Sequence, residues 1–162
     1  MRRLLLIALG VALAALALRP AAGLLRDDGT PRDAAVLDGV ATTEVIGDVS
    51  TSLGKVFTYG PDDVAATGQA ADRELSGAAL QQYRRLFGQV ARQAPAQRVT
   101  LTTRVVRAGV VSLTGDTARL LVFLDQNATR AGKPAGTPAA AQLLVTAHRE
   151  RGHWSITGLT SA

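Results

Sequence analysis

The spacing of apolar positions changes character twice along the chain. Residues Leu4 to Leu18 are continuously apolar, behind Arg2 and Arg3. From Leu37 to Pro95 apolar positions recur at helical intervals. After Pro95 they alternate with polar ones, the period of a half-buried strand.

In the helical region Leu37, Ala41, Val45, Val49, Leu53 and Val56-Phe57 mark one face of an amphipathic helix, with Asp33 as its N-cap and an end near Tyr59-Gly60-Pro61. Gly39, Gly47 and Gly54 lower its intrinsic propensity, so this helix depends on packing against a neighbouring layer. Asp62 to Ala66 reads as a short helix capped by Asp62. A longer helix starts at Ser76, where Leu75 and Leu80 have the spacing of a hydrophobic staple. Its inner stripe is Leu80, Tyr83, Phe87, Val90 and Ala94, opposite Gln82, Arg85, Gln89 and Arg92. Pro95 is expected to end it.

Beyond it, Val99 to Val105 alternates cleanly. Val110 to Leu113, the turn Thr114-Gly115-Asp116 and Thr117 to Gln126 continue a meander. Arg130 to Pro138 reads as a loop. Gln142 to His148 and His153 to Leu159 form a final hairpin around Arg151-Gly152. Helices followed by about four antiparallel strands predict an α+β domain with its helices on one face of a curved sheet.

The first apolar run predicts a membrane anchor. As a helix, Leu4 to Leu18 covers about 22 Å, short of the roughly 30 Å hydrocarbon core. If Arg19 snorkels, the segment reaches Arg26 and spans. The competing reading is a signal peptide cleaved after Ala15-Leu16-Ala17. Either reading exports the C-terminal domain. The expected organisation is an anchor at 1–26, a linker at 27–33 and an exported α+β domain at 34–162. The N-terminus stays cytoplasmic, and the domain lies on the outer side of the cell membrane.

Charge alters this picture less than its total suggests. The chain of 162 residues carries a net charge of +5, but Arg2, Arg3, Arg19 and Arg26 belong to the N-terminal segment. Removing those four from the 18 basic residues leaves 14 against 13 acidic ones. Asp27 to Leu75 holds ten acidic and three basic residues; Ser76 to Ala162 holds three acidic and eleven basic. The two halves can face each other in the fold, or a basic sheet face can meet anionic headgroups or an acidic partner. Few aromatic residues accompany the basic ones, which argues against nucleic acid. With no Cys, disulfides and thiolate metal sites are excluded.

Few residues suggest chemistry. His148 and His153 flank the last hairpin and could approach each other, with only Glu150 nearby; ordinary strand histidines are the simpler reading. Asp125 shares a strand face with Leu121 and Phe123, and could serve as a base opposite the hydroxyl of Tyr59 or Tyr83. Capping a strand end is the simpler role. Asn127-Ala128-Thr129 has the form of a glycosylation acceptor by chance. Trp154 alternates with Ile156 as a core anchor, or else walls a lipid pocket together with Phe123, Tyr83 and Phe87. No catalytic residue, cofactor or metal ligand is expected.

Three strings carry a family likeness: Val56-Phe57-Thr58-Tyr59-Gly60-Pro61-Asp62-Asp63, Leu121 to Thr129, and Arg151-Gly152-His153-Trp154-Ser155-Ile156-Thr157-Gly158-Leu159. With the anchor and the order of elements, they resemble the Mce-associated membrane proteins of actinobacteria. The resemblance implies a cone-shaped domain like nuclear transport factor 2. It also implies a non-catalytic accessory subunit of an Mce system, which moves fatty acids or sterols across the cell envelope, with Mce subunits as partners. Type IV secretion machines use a similar domain as a scaffold, so that role and a lipid- or sterol-binding module are the alternatives.

Overall fold

The computed structural model of the chain describes residues 39–131 and 133–162. Three helices, α1 (Gly39–Phe57), α2 (Val64–Glu74) and α3 (Gly77–Gln97), precede four strands. These are β1 (Val99–Thr114), β2 (Thr117–Arg130), β3 (Lys133–Glu150) and β4 (His153–Ser161). The strands pair in sequence order as one antiparallel meander, β1-β2-β3-β4.

The stripe predicted for α1 is the one it buries: Val45, Val49, Leu53 and Val56 are fully shielded. Gly39, Gly47 and Gly54 face open space. They mark no close backbone approach, and their helix-propensity cost of about 1 kcal/mol each is offset by that buried face.

Helix α2 is longer than its sequence suggests, running on from Ala66 to Glu74. Its inner positions are Val64, Thr67, Ala70, Ala71 and Glu74, too small or too polar to register as a hydrophobic stripe. Asp63, not Asp62, holds the N-cap position, without a side-chain cap bond. The staple residues behave as expected, with Leu75 buried and Leu80 packed against the core.

Pro95 does not stop α3, which continues to Gln97. Arg98 ends it in the left-handed conformation (φ 48°, ψ 48°), and its N–H reaches the carbonyls of Ala94 and Pro95. A proline in the last turn removes only its own donor, so the stop falls to the αL residue beyond.

In the sheet, β1 is one continuous strand with bulges between Val105 and Arg107 and between Val110 and Ser112. Each bulge inserts a residue and flips the alternation, which is why the sequence pattern fades after Val105. The expected loop at 130–138 is mostly strand: β3 begins at Lys133, and Pro138 stands opposite Asn127. Strand β4 covers β3 only from Leu143 onward, so Pro138 has a free edge on that side and its missing donor breaks no ladder.

All three helices cover one face of the sheet. On it Leu120, Val122, Val145, Ala147 and Ile156 are buried against α1 and α3. This agrees with the expected α+β domain, with one correction to the fold class. The membrane-spanning helix expected at its start is not part of the described architecture: among the described residues, no helix is long and apolar enough to cross a membrane. The segments expected as anchor (1–26) and linker (27–33), and the Asp33 cap, lie outside the described residues.

Candidate functional site

Where α1 ends and α3 passes over it, four aromatic rings meet. Tyr83 stacks on Phe87 at 4.9 Å between centroids, Tyr59 meets Phe87 edge-on at 5.9 Å, and Phe57 lies tilted 6.2 Å from Tyr83. The Tyr83 hydroxyl donates to the carbonyl of Val56 at 2.8 Å. Burial pushes both tyrosine hydroxyls above their ordinary range, and the neighbouring Tyr59 and Asp72 push Tyr83 further. Both therefore stay protonated and structural at neutral pH. Trp154 is sealed between sheet and helices at 1% exposure, with the Arg149 guanidinium 6.0 Å from its ring centroid.

Of the residues expected to line one apolar pocket, Tyr83, Phe87 and Trp154 lie in this core. Phe123 does not join them. It alternates with the buried Val122 and Leu124 and so points to the opposite face of the sheet. Asp125 is exposed on that same outer face. The geometry needed for it to act as a base opposite Tyr59 or Tyr83 is not present.

A polar cluster that sequence reasoning missed sits where α1, α2 and the start of β4 converge. Glu74 is 6% exposed. Its carboxylate accepts from Ser52 Oγ and from Lys55 Nζ, both at 2.6 Å. Burial by itself would raise its pKa. The hydrogen bonds from Lys55 and Ser52, with the charges of Lys55 and His153, outweigh that and hold it below the ordinary carboxylate value. His153 lies between two carboxylates, its Nδ1 3.9 Å from Asp48 and its Nε2 3.8 Å from Glu74. Asp48 also accepts the backbone N–H of Trp154 at 3.4 Å.

The signal for Glu74 was present in its helical phase. Positions 64, 67, 71 and 74 share the inner face of α2, so a carboxylate falls where burial is required. The two histidines do not approach each other across the hairpin. His148 pairs with Ser155 and His153 with Glu150, and His148 Nδ1 lies 3.3 Å from Thr117 Oγ1. The two nitrogens of His153 face different carboxylates, an arrangement for an ion-pair bridge rather than for one shared metal ion.

The outer face of the sheet is uncovered by any described helix. Half-buried Leu121, Phe123 and Leu144 form its centre, with Leu121 directly opposite Leu144. Arg107 stands opposite Phe123, Arg104 opposite Asp125, and Arg119 between Ser112 and Thr146. Among the described residues none of these three arginines has a carboxylate within ion-pair distance, whereas Lys55, Arg84 and Arg149 on the helix side are paired.

No protein-family profile matches the chain. Among solved structures, the periplasmic domain of DotI superposes with a TM-score of 0.63 at 13% identity, covering 74% of this chain and 94% of that one. CagV of Helicobacter pylori, a VirB8 homolog of a type IV secretion system, gives 0.59 at 12% identity, covering 75% and 98%. At such identities the likeness shows fold alone, and the fold is that of VirB8-like periplasmic domains, which share the nuclear transport factor 2 architecture. In sequence, the chain is 35% identical over 144 residues to outer membrane protein Rv1973 of Mycobacterium tuberculosis, covering 88% of this chain and 87% of that protein. It belongs to the family of mycobacterial proteins that includes Rv1973. It is also 32% identical over 124 residues to the uncharacterized protein Rv1362c of the same species, spanning 56% of that protein's length. None of these relatives carries an Mce name.

Proposed function

We propose that this chain is a non-catalytic assembly domain of the cell envelope, exported to the outer side of the cell membrane, where it holds other envelope proteins in place. The observation that carries this reading is the VirB8-like fold, seen in components of secretion complexes. The name outer membrane protein carried by a relative supports an envelope location. The aromatic residues best suited to a ligand are committed to core packing, which favours a scaffold over a lipid-binding module.

Two kinds of complex fit. A type IV secretion-like assembly is favoured by the fold of DotI and CagV. An Mce lipid-import system is favoured by the three strings at Val56 to Asp63, Leu121 to Thr129 and Arg151 to Leu159, with Mce subunits as the partners. Crosslinking in intact cells, followed by affinity purification of the full chain, separates them by the identity of the proteins recovered. Recovery of envelope proteins in stoichiometric amount is the expected result. Recovery of this chain alone would refute the scaffold reading.

A further inference from the structure

Among the described residues, the sheet is covered by helices on one of its two faces. Its helix-covered face is mostly apolar, and the two polar side chains buried there, Thr103 and Gln126, are hydrogen-bonded to each other, with Thr103 also donating to the carbonyl of Phe57. Its outer face would be uniformly polar if water were its only neighbour. It is not: Leu121, Phe123 and Leu144 lie side by side on β2 and β3, half-buried in the sheet itself. At the β1 edge the bulges turn Val106 and Val111 outward, at 58% and 59% exposure.

Around this strip stand Arg104, Arg107 and Arg119, with no ion-pair partner among the described residues. Asp125 is the single carboxylate that β1 and β2 place on this face. Even it, opposite Arg104 in register, does not close an ion pair. An arginine side chain is a rigid fork of donors suited to carboxylates. An apolar strip framed by unpaired arginines has the layout of an interface, with its desolvated centre and charged rim.

The choice of occupant rests on the charges. A second copy packed face to face would set these arginines against their own counterparts, with only Asp125 and, at the end of β3, Glu150 in each copy to relieve them. A lipid surface would need protruding apolar side chains at the centre, whereas Leu121, Phe123 and Leu144 are half-buried there and the exposed Val106 and Val111 stand only at the β1 edge. A uniformly anionic surface would also repel Asp125. We infer that the outer face of the sheet docks an acidic protein surface, whose apolar side chains cover Leu121, Phe123 and Leu144 and whose carboxylates meet Arg104, Arg107 and Arg119. This rests on the scaffold reading and names the surface and the partner chemistry that the scaffold uses.

The test places a photo-crosslinking benzoylphenylalanine at Gln142, which is exposed beside Phe123, in the full chain in its native envelope. A second position, Arg85, exposed on α3, reports on the helix side. The expected result is capture at Gln142 of an envelope protein through an acidic peptide. The yield should fall about tenfold or more when Arg104, Arg107 and Arg119 are changed to Glu, because like charges then face each other. Changing them to Gln should give a smaller loss, and Trp154 fluorescence reports that each variant is folded. Crosslinks at Gln142 to lipid or to a second copy, or a yield unchanged by charge reversal in the folded variant, would overturn the inference. Capture at Arg85 with none at Gln142 would overturn this face while leaving the scaffold reading in place. Capture at neither would overturn both.

Discussion

Glu74, on α2, joins three elements through one buried carboxylate. Ser52 and Lys55 reach it from α1, and His153 faces it from β4. Its pKa in the folded chain lies below the ordinary value of 4.5, so its ionisation stabilises the fold above that pH and the contribution is lost as pH falls through the folded value. Glu74→Gln should therefore flatten the acid limb of a stability-against-pH curve measured by denaturant unfolding. At neutral pH it should cost about 1–2 kcal/mol, a modest amount because Lys55 is half-exposed and can rehydrate. Tyr83→Phe removes a single buried hydrogen bond and should cost about 1 kcal/mol, whereas Trp154→Ala should cost about 3–5 kcal/mol. Urea titrations of the three variants check the order. The core aromatics were legible because each sits in phase on its element. The Glu74 cluster was not, because its donors lie 22 and 19 residues away in sequence and only tertiary packing unites them.

Each element owes its ends to a few backbone positions. Arg98 closes α3 with φ at 48°, and Arg151 with Gly152 turns the last hairpin with φ at 52° and 81°. The hairpin was readable from the Arg-Gly pair between alternating strands. Arg98 was not, since proline draws attention to itself and an arginine in the αL region leaves no mark in sequence. Replacing Arg98 by Gly removes the αL strain and should raise stability by about 0.5–1 kcal/mol, seen as a higher melting temperature. Arg151→Asn should act in the same direction by a smaller amount, because Asn tolerates positive φ in a two-residue hairpin turn. The bulges of β1 explain the other misreading. Val106 and Val111 break strict alternation, so a single strand looks like two. The placement of Phe123 outside the core has a related cause: its strand alternation was clear from sequence, but which phase faces the helices was not.

At the scale of the whole molecule, the charge polarity seen in sequence is shared out between elements. The acidic half supplies α1 and α2, and several of its carboxylates are consumed internally by Lys55, Arg84 and Arg149. The basic half supplies α3 and the sheet, whose outer arginines Arg104, Arg107 and Arg119 are left unpaired among the described residues. The first reading of the charge distribution, acidic and basic groups facing each other, is thus met on the helix side by the Arg84 and Arg149 pairs. The order of helices before strands was legible from the change of hydrophobic period and the turn and cap residues, although the extents of α2, β1 and β3 were not; the partner was not legible either, because a docking surface is defined by a molecule outside the chain. If the domain works by holding other proteins, its size in the native envelope must exceed its own. The most direct measurement is the native mass of the full chain, extracted in mild detergent from its own host and resolved by native gel electrophoresis. A chain of 16.8 kDa should migrate within a much larger assembly that contains other envelope proteins and loses this chain when the outer-face arginines are reversed. Migration as a free monomer, or as a complex of this chain with itself, would contradict the scaffold role.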